Sequence, residues 1–330
     1  MESSPSPSQP EHFILLPLVS KHEESLRLPL AINVVAKYWG EELLSSSSSS
    51  SSVSANGPQG KAPRGTVMMI DGIETAEARG LACHVFKGSL RDIKKRIDQG
   101  VPPIVIMPGI HDIFQHATVV SGYDLDERRI LTYVPEPDTI GAIPESKFEQ
   151  DWEQDDMTEI ILIPADLQKD LLKSEDLEYA KTNRACFEAE RLRQQGMTEK
   201  AVEKLRQATE ADLENAQAWS QLAGIYNEQG SDQAVPCYER AIKINPRYYL
   251  AYRGLGNYYL KKKDYSLAEA YYSKAIGINP VRYGPIYKNR AVARMQNGNN
   301  AGAKEDLAKY LEQTPGAADG ESIREAIAQL

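Results

Sequence analysis

The chain has 330 residues, of which 41% are hydrophobic, and 38 Lys and Arg against 47 Asp and Glu leave a formal net charge of -9. This length predicts two domains, since one hydrophobic core rarely grows to such a size. The acidic balance argues against nucleic acid as a main partner, because phosphate binding requires clustered Lys and Arg. Three scattered cysteines without CxxC spacing predict reduced thiols in a cytoplasmic protein: Cys83, Cys186 and Cys237.

The amino-terminal residues 1–11 are polar and rich in Ser and Pro, which predicts a disordered tail. They lack the positive flank and the apolar core of a signal peptide. No stretch of the chain approaches the ~18 consecutive apolar residues of a membrane-spanning helix. We therefore expect a cytoplasmic protein without a membrane partner.

The next elements are a predicted strand over Phe13–Val19 and a predicted helix over Leu28–Gly40, which ends at its glycine. The serine tract Ser45–Ser52 follows, in a segment that would bury almost no apolar surface. We interpret residues 43–64 as a disordered insertion within a domain, because the preceding segment is too short to hold a core. A linker between two domains is the alternative.

The following hundred residues alternate between helical and strand patterns and then become mostly strands, which predicts an α+β domain. No GxGxxG or GxxxxGK[ST] element is present, so no nucleotide or other cofactor is expected. The predicted elements are helices over 67–80 and 89–100, strands over 81–88 and 102–109, a hairpin over 116–137 about the turn Leu125–Arg129, a short helix over 147–154 and a strand over 157–164.

The segment around the second predicted element resembles the nucleophile helix of the bacteriocin-processing type of papain-like cysteine peptidases. The resemblance covers residues 13–164, with HATVVSGYD similar to the segment that carries the catalytic histidine and KFEQDW similar to the closing motif. It implies a papain-like domain over residues 12–164. The residues that keep the helix pattern are Pro29, Ala31, Tyr38, Trp39 and Gly40.

The departures from this family predict a degenerate, inactive site. An arginine stands where the nucleophile belongs, and its guanidinium stays protonated and has no lone pair for attack. The histidine is retained but lacks the acidic residue that would orient it, so we expect it to be an interior histidine. No catalytic residue is therefore predicted. Four residues of this chain align with the catalytic positions of the family. Arg27 aligns with the cysteine, His116 with the histidine and Val134 with the aspartate. Lys21 aligns with the glutamine that donates to the oxyanion, or His22 does in a shifted register.

The alternative is an active cysteine peptidase or transferase that uses a non-standard nucleophile. Cys83 with His116 would require a different geometry, and Cys83 and His84, as strand neighbours, should point to opposite faces. Ser25 lies near the nucleophile position without an activating base. His111, Asp112 and His116 suggest a metal site only weakly, and no metal is predicted.

A repeat of about 34 residues begins after residue 180 and resembles the tetratricopeptide repeat in four copies. Small residues are expected where the two helices of a repeat meet, and prolines are expected to end the second helix. We predict a linker over 165–177, an all-α solenoid over 178–316 and a capping helix over 317–330. The aligned positions are Trp219, Leu222, Ala223, Tyr226, Ala234, Tyr238, Ala241 and Pro246; Tyr252, Leu255, Gly256, Tyr259, Ala268, Tyr272, Ala275 and Pro280; Tyr287, Arg290, Ala291, Arg294, Ala303, Leu307, Tyr310 and Pro315; and, more weakly, Ala189, Leu192, Ala201, Leu205 and Ala208.

The first helix of each repeat is expected to line a groove for a protein or peptide partner. Some proteins of this family clamp a partner's terminal carboxylate with basic residues and asparagines, although such residues are also common on solvated helices. The predicted function is a non-catalytic scaffold, or an adaptor in which only the repeats bind. The predicted peptide-binding residues are Arg253, Asn257, Lys261, Lys288 and Asn289, with further groove positions at Gln217, Ser220, Asn227 and Val292.

Overall fold

The computed structural model describes residues 12–19, 29–43, 68–109, 115–134, 139–172 and 180–330. The predicted tail, the serine tract and residues 173–177 of the predicted linker lie outside these residues. The described residues fall into two compact units. One takes its residues from Met1–Val105, Ala117–Phe148 and Glu159–Phe187, and the other from Ile106–His116, Glu149–Thr158 and Glu188–Leu330.

The first half of the chain forms an α+β arrangement, as the alternating pattern predicts. Helices and strands follow the expected order, with Ser89 capping a helix by accepting a hydrogen bond from the Asp92 amide at 3.2 Å. The elements are β1 His12–Phe13, α1 Leu30–Tyr38, α2 Met69–Glu77, β2 Leu81–Lys87, α3 Leu90–Asp98, β3 Ile104–Pro108, β4 Gln115–Asp124, β5 Arg129–Val134, β6 Thr139–Pro144, α4 Glu145–Trp152, a 3₁₀ turn Glu153–Asp155, β7 Thr158–Pro164 and α5 Gln168–Leu171.

The described strands form one sheet in the order β2-β7-β3-β4-β5-β6, with β1 beside β4. The pairs β3–β7, β4–β5, β5–β6 and β1–β4 are antiparallel. In the β5–β6 pair Ile130 lies opposite Ile143 and Leu131 opposite Ala142. The core of this region is made of β-branched and leucine side chains of β3 and β7, which are buried along nearly their whole length.

One strand prediction was wrong, and one strand was not predicted. The run Phe13–Val19 pairs with β4 only through His12 and Phe13, and Leu15 and Leu18 are 77% and 65% exposed. The backbone contact with β4 continues only to Ile14, whose amide donates to the Ser121 carbonyl at 2.7 Å, and Pro17 has no amide hydrogen with which to extend the pairing. Strand β6 was not predicted, because its Gly and Pro residues disfavour a strand and only pairing with β5 forms it.

The second half of the described chain is all-helical, as the 34-residue repeat predicts. Its helices follow one another as pairs within residues 180–313, and a last helix follows them. No described helix is long and apolar enough to cross a membrane. The helices are α6 Ala180–Gln194, α7 Thr198–Ala211, α8 Ala216–Glu228, α9 Ala234–Ile244, α10 Tyr249–Lys261, α11 Tyr265–Ile278, α12 Pro285–Gln296, α13 Asn300–Gln313 and α14 Gly320–Gln329.

Close helix packing in this array depends on the predicted small residues. A Cβ atom on Gly256 of α10 would lie 2.5 Å from the ring of Tyr272 in α11, a contact that no side chain could make. Ala223 and Ala291, at the equivalent places in α8 and α12, are fully buried. Besides pairing with their own partners, the first helices α8, α10 and α12 contact one another in succession.

Candidate functional site

The predicted groove residues lie on two neighbouring first helices, with Arg253, Asn257 and Lys261 on α10 and Lys288 and Asn289 on α12. The Asn257 Oδ1 atom accepts hydrogen bonds from Asn289 Nδ2 at 3.4 Å and from the Tyr272 hydroxyl at 2.8 Å. The structure therefore brings the two predicted asparagines into contact across the helices.

A second polar contact joins α8 to α10. The side-chain amide of Asn227 donates to the Gly254 carbonyl at 3.2 Å, and Lys261 Nζ donates to the Asn227 carbonyl at 3.2 Å. Together with the Asn257–Asn289 contact, this makes a row of polar groups across α8, α10 and α12. We call this row, formed by Asn227, Arg253, Asn257, Lys261, Lys288 and Asn289, the inner polar row.

The cations of the inner polar row already have neighbours within the chain. The Arg253 guanidinium lies 4.7 Å from the centre of the Tyr283 ring. Lys288 Nζ lies 2.7 Å from Asp319 Oδ2, at the beginning of α14, and 5.0 Å from the centre of the Tyr310 ring. An incoming carboxylate would have to compete with Asp319 for Lys288.

The other predicted groove positions differ in their exposure. Gln217 and Ser220 are buried at the beginning of α8, so they do not offer a free surface, whereas Val292 is 41% exposed. Gln217 Oε1 lies 3.5 Å from the hydroxyl of Thr158, which belongs to the segment Glu149–Thr158 of the same compact unit. The polar side chain of Gln217 thus meets another part of the chain.

Sequence reasoning missed a second set of polar contacts within the chain, made by the loops before α10 and α12. Asn245 Nδ2 donates to the Glu153 carbonyl at 2.7 Å, and Asn279 Nδ2 donates to Gln154 Oε1 at 3.1 Å. Arg247 Nε lies 3.1 Å from a carboxylate oxygen of Glu153. The repeated Ile-Asn-Pro at 244–246 and 278–280 was a signal that could have drawn attention to these loops.

The strongest contact of this set joins Arg282 to Asp155. Arg282 Nη2 donates to Asp155 Oδ1 at 2.6 Å, and both side chains are fully withdrawn from solvent. Gln115 donates a further hydrogen bond to the same carboxylate, which also interacts electrostatically with His116. Burial raises the pKa of Asp155, against the opposing effects of Arg282 and Gln115. The carboxylate is therefore held by specific partners at a considerable desolvation cost.

The positions aligned with a peptidase site are only partly described. Lys21 and Arg27 lie outside the described residues, as do Ser25, His111 and Asp112. Val134 ends strand β5. His116, which was predicted to be interior, lies near the beginning of β4. The residue is exposed there, yet burial around its imidazole lowers the pKa of the ring. Among the described residues, no group of His, Cys, Asp and Glu could hold a metal ion.

All three cysteines are described, and all three are buried and form no disulfide with one another. Cys83 Sγ lies 3.7 Å from the Ile73 carbonyl, while its neighbour His84 is half-buried, as expected for alternate faces of a strand. Burial raises the pKa of the Cys83 thiol to about 12 and that of the Cys237 thiol to about 11. These thiols stay protonated at neutral pH, and a protonated thiol is a poor nucleophile.

The tetratricopeptide repeat family model matches residues 188–234 and 226–282. The carboxy-terminal region of this chain is built of tetratricopeptide repeats. RNA polymerase II-associated protein 3 of Xenopus laevis is 30% identical to the chain over 106 residues. This match covers 32% of the chain and only 16% of that protein.

Solved structures of other proteins also align with part of the chain. PilF of Pseudomonas aeruginosa aligns with a TM-score of 0.41 at 23% identity, over 45% of this chain and 67% of PilF. The first tetratricopeptide repeat domain of Spaghetti (RPAP3), described as bound to the Hsp90 peptide SRMEEVD, aligns with a TM-score of 0.33 at 24% identity, over 34% of this chain and 90% of that chain.

Proposed function

We propose that the chain is a non-catalytic scaffold whose tetratricopeptide repeats bind a polypeptide partner along the inner polar row. The observation that carries this proposal is the continuity of the row, in which Asn227 reaches α10 and Asn257 reaches Asn289 on α12. Asparagine amides can both donate to and accept from a peptide backbone. Asn257 and Asn289 are half-buried, so their amides can exchange their mutual contact for one with a peptide backbone, whereas the buried Asn227 joins α8 to α10.

The positive charges of the inner polar row favour a partner peptide that carries carboxylates. Three of the predicted residues, Arg253, Lys261 and Lys288, are cations in a chain whose net charge is -9, so they concentrate positive charge locally. The Lys288–Asp319 pair is partly exposed, at 34% and 39%, and exposed pairs contribute roughly 0–1 kcal/mol. A partner's carboxylate could therefore replace Asp319 at little cost.

The solved structure of the Spaghetti (RPAP3) domain is described with a peptide of the same chemical class, although the proposal does not rest on it. The peptide in the structure of the Spaghetti (RPAP3) domain ends in Glu-Glu-Val-Asp, which is acidic. For the present chain we take over only the ligand class, an acidic peptide. The identity of the partner is left to experiment.

The amino-terminal region is proposed to be an inactive papain-like domain. The support comes from the sequence, where Arg27 occupies the nucleophile position, and from the buried thiols of Cys83 and Cys237 with their raised pKa values. Three cysteines that form no disulfide with one another also suit the reducing cytoplasm that we propose as the location. An active cysteine peptidase or transferase would require one of these thiols to become exposed and ionised.

The test is affinity capture of partners by the full-length chain and by the variant Arg253→Glu, Lys288→Glu. We expect the reversal of charge to remove the partners that bind the wild-type chain through carboxylates. Lys304→Glu is the matched control, because Lys304 is an exposed cation on α13, away from the inner polar row. An unchanged set of partners for the double variant would overturn the proposed function.

A further inference from the structure

The loops before α10 and α12 present the same local structure twice. In each loop the asparagine Oδ1 atom accepts a hydrogen bond from the backbone amide two residues later, at 2.9 Å for Asn245 with Arg247 and at 3.1 Å for Asn279 with Val281. This turn holds the side chain in place and leaves its Nδ2 group to donate elsewhere. We call Asn245, Arg247, Asn279 and Arg282 the inter-repeat edge.

Both Nδ2 groups of the inter-repeat edge donate to one short segment, Glu153–Asp156, which we call the acidic turn. Asn245 binds the Glu153 carbonyl and, at 3.3 Å, Asp156 Oδ1, while Asn279 binds the Gln154 side chain. Arg282 adds a bond to the Gln154 carbonyl at 3.3 Å. The edge thus recognises backbone carbonyls and side chains of successive residues, which is the way a peptide-binding site works.

Charge matches across this contact. The acidic turn carries three carboxylates, and the inter-repeat edge contributes two guanidinium groups, with Arg247 placed against Glu153 and Arg282 against Asp155. The Arg282 guanidinium also stacks over the Tyr249 ring at 4.6 Å, which fixes its plane. A neutral or basic segment would leave buried Arg282 without a counter-charge, so the edge selects acidic residues.

The acidic turn has an unusual backbone shape. Asp156 and Met157 have φ angles of +57° and +50°, in the left-handed region that side chains other than glycine rarely adopt. The turn is closed by a hydrogen bond from Trp152 Nε1 to the Thr158 carbonyl at 3.0 Å and by one from the Thr158 hydroxyl to the Asp155 carbonyl at 2.9 Å. Strained backbone of this kind persists where the surrounding contacts demand it.

The contact between the inter-repeat edge and the acidic turn contributes more to selectivity than to the free energy of association. Desolvation offsets much of the attraction between two buried charges, and Asp155 Oδ2 has no hydrogen-bond partner within the described part of the chain. The raised pKa of Asp155 has the same cause, which is the desolvation of its carboxylate. A segment held in this manner is specific, yet an equivalent segment in excess could displace it.

We propose that the inter-repeat edge is a second protein-interaction surface, that it takes acidic turns of the Glu-x-Asp type, and that the chain's own acidic turn occupies it until a partner protein presenting such a turn competes. This surface is separate from the inner polar row and does not depend on the proposed function of that row. The partner is identified by its chemistry, two carboxylates separated by one residue in a tight turn.

The test uses the full-length chain and a fluorescent peptide with the sequence of residues 149–160, EQDWEQDDMTEI. In the turn variant Glu153→Gln, Asp155→Asn, Asp156→Asn the resident segment loses its charges, and we expect it to occupy the edge less. We expect the turn variant to bind the peptide about tenfold more tightly than wild type. Adding Asn245→Ala and Asn279→Ala to the turn variant should weaken binding by about tenfold, since each lost hydrogen bond contributes a few-fold.

Matched controls separate charge in general from this contact. Asp126→Asn with Glu127→Gln removes exposed acids from the turn between β4 and β5 and should leave peptide affinity at the wild-type value. A peptide in which Gln replaces Glu153 and Asn replaces Asp155 and Asp156 should not bind the turn variant. Equal affinity of the wild type and the turn variant would overturn the proposal, as would binding that survives the asparagine substitutions but is lost in Arg253→Glu.

A measurement on the wild-type chain covers the case in which the turn variant does not fold. The amides of Asp156 and Met157 are bonded to the carbonyls of Glu153 and Trp152 at 3.1 Å each. A saturating excess of the acidic peptide should accelerate hydrogen exchange at these two amides at least several-fold, because the resident turn is released. Exchange that does not change at saturation would overturn the proposal.

Discussion

The Asp155 carboxylate lies 2.6 Å from the Arg282 guanidinium, and neither side chain has any solvent exposure. The two residues come from a turn between α4 and β7 and from a loop between two tetratricopeptide repeats. Removing one member of such a pair leaves a buried charge without compensation, which is far more costly than removing both.

We expect Arg282→Ala to lower the free energy of unfolding by about 3–5 kcal/mol, because it strands the Asp155 carboxylate in the interior. Urea unfolding followed by circular dichroism measures this loss. The double variant Arg282→Ala, Asp155→Ala should lose clearly less than the sum of the two single losses. As a control, Arg240→Ala removes an exposed pair with Glu214 and should cost about 1 kcal/mol or less. Additive losses in the double variant would contradict the coupling.

The close contact between α10 and α11 predicts the effect of a single methyl group. Gly256→Ala would place a Cβ atom 2.5 Å from the buried Tyr272 ring, and such overpacking should lower the free energy of unfolding by about 1–3 kcal/mol. Gly277→Ala on α11 is the matched control, since no heavy atom lies within 4 Å of its new methyl group. That variant should gain roughly 0.5–1 kcal/mol, because alanine is the better helix former. An equal loss for both variants would contradict overpacking against Tyr272 as the cause, since alanine at position 277 meets no neighbouring atom.

The buried thiols predict a pH dependence of chemical modification. Burial raises the pKa of Cys83 to about 12, so its folded thiol should react with iodoacetamide far more slowly at pH 8 than the same thiol in the unfolded chain. The unfolded thiol loses its proton near pH 9 while the folded one retains it, so this residue makes stability fall as pH rises from about 9 to about 12. Mass spectrometry of the alkylated chain and urea unfolding across this range measure the two effects.

The same labelling experiment decides whether the amino-terminal domain is inactive or is an active cysteine enzyme. If Cys83 is labelled slowly, at a rate that His116→Ala does not change, the result agrees with an inactive domain. Rapid stoichiometric labelling of Cys83 by a peptide electrophile at pH 7, abolished by His116→Ala, would establish the alternative of an active cysteine enzyme.

The Lys288–Asp319 pair predicts a gain of binding. Asp319→Asn should release Lys288 and raise the affinity for an acidic partner about two- to fivefold, the equivalent of one partly exposed ion pair. The increase should shrink at high salt, because screening weakens exposed charges. Glu321→Gln, an exposed acid on the same helix α14, should leave the affinity unchanged. A similar gain from both variants would indicate a general charge effect and not release of Lys288.

Local patterns predicted most of the helices and strands. The helix cap at Ser89 and the contact of Gly256 with Tyr272 were foreseeable, because capping and close packing follow from residue type at a fixed spacing. The residues of the inner polar row were predicted to line a groove, and the structure brings two of them, Asn257 and Asn289, into contact. Their role in binding a partner stays a prediction. Strand β6 was missed, because nothing within Thr139–Pro144 favours a strand without its neighbour.

The sequence by itself determined that the second half of the chain is a series of helical repeats, because that information lies in a period of about 34 residues and needs no distant contact. Only the tertiary structure decided that the acidic turn lies against the inter-repeat edge. Asn245 meets Glu153 across 92 residues of sequence, and Arg282 meets Asp155 across 127. No local propensity encodes such a pairing, which arises when buried charges must find partners as the chain folds.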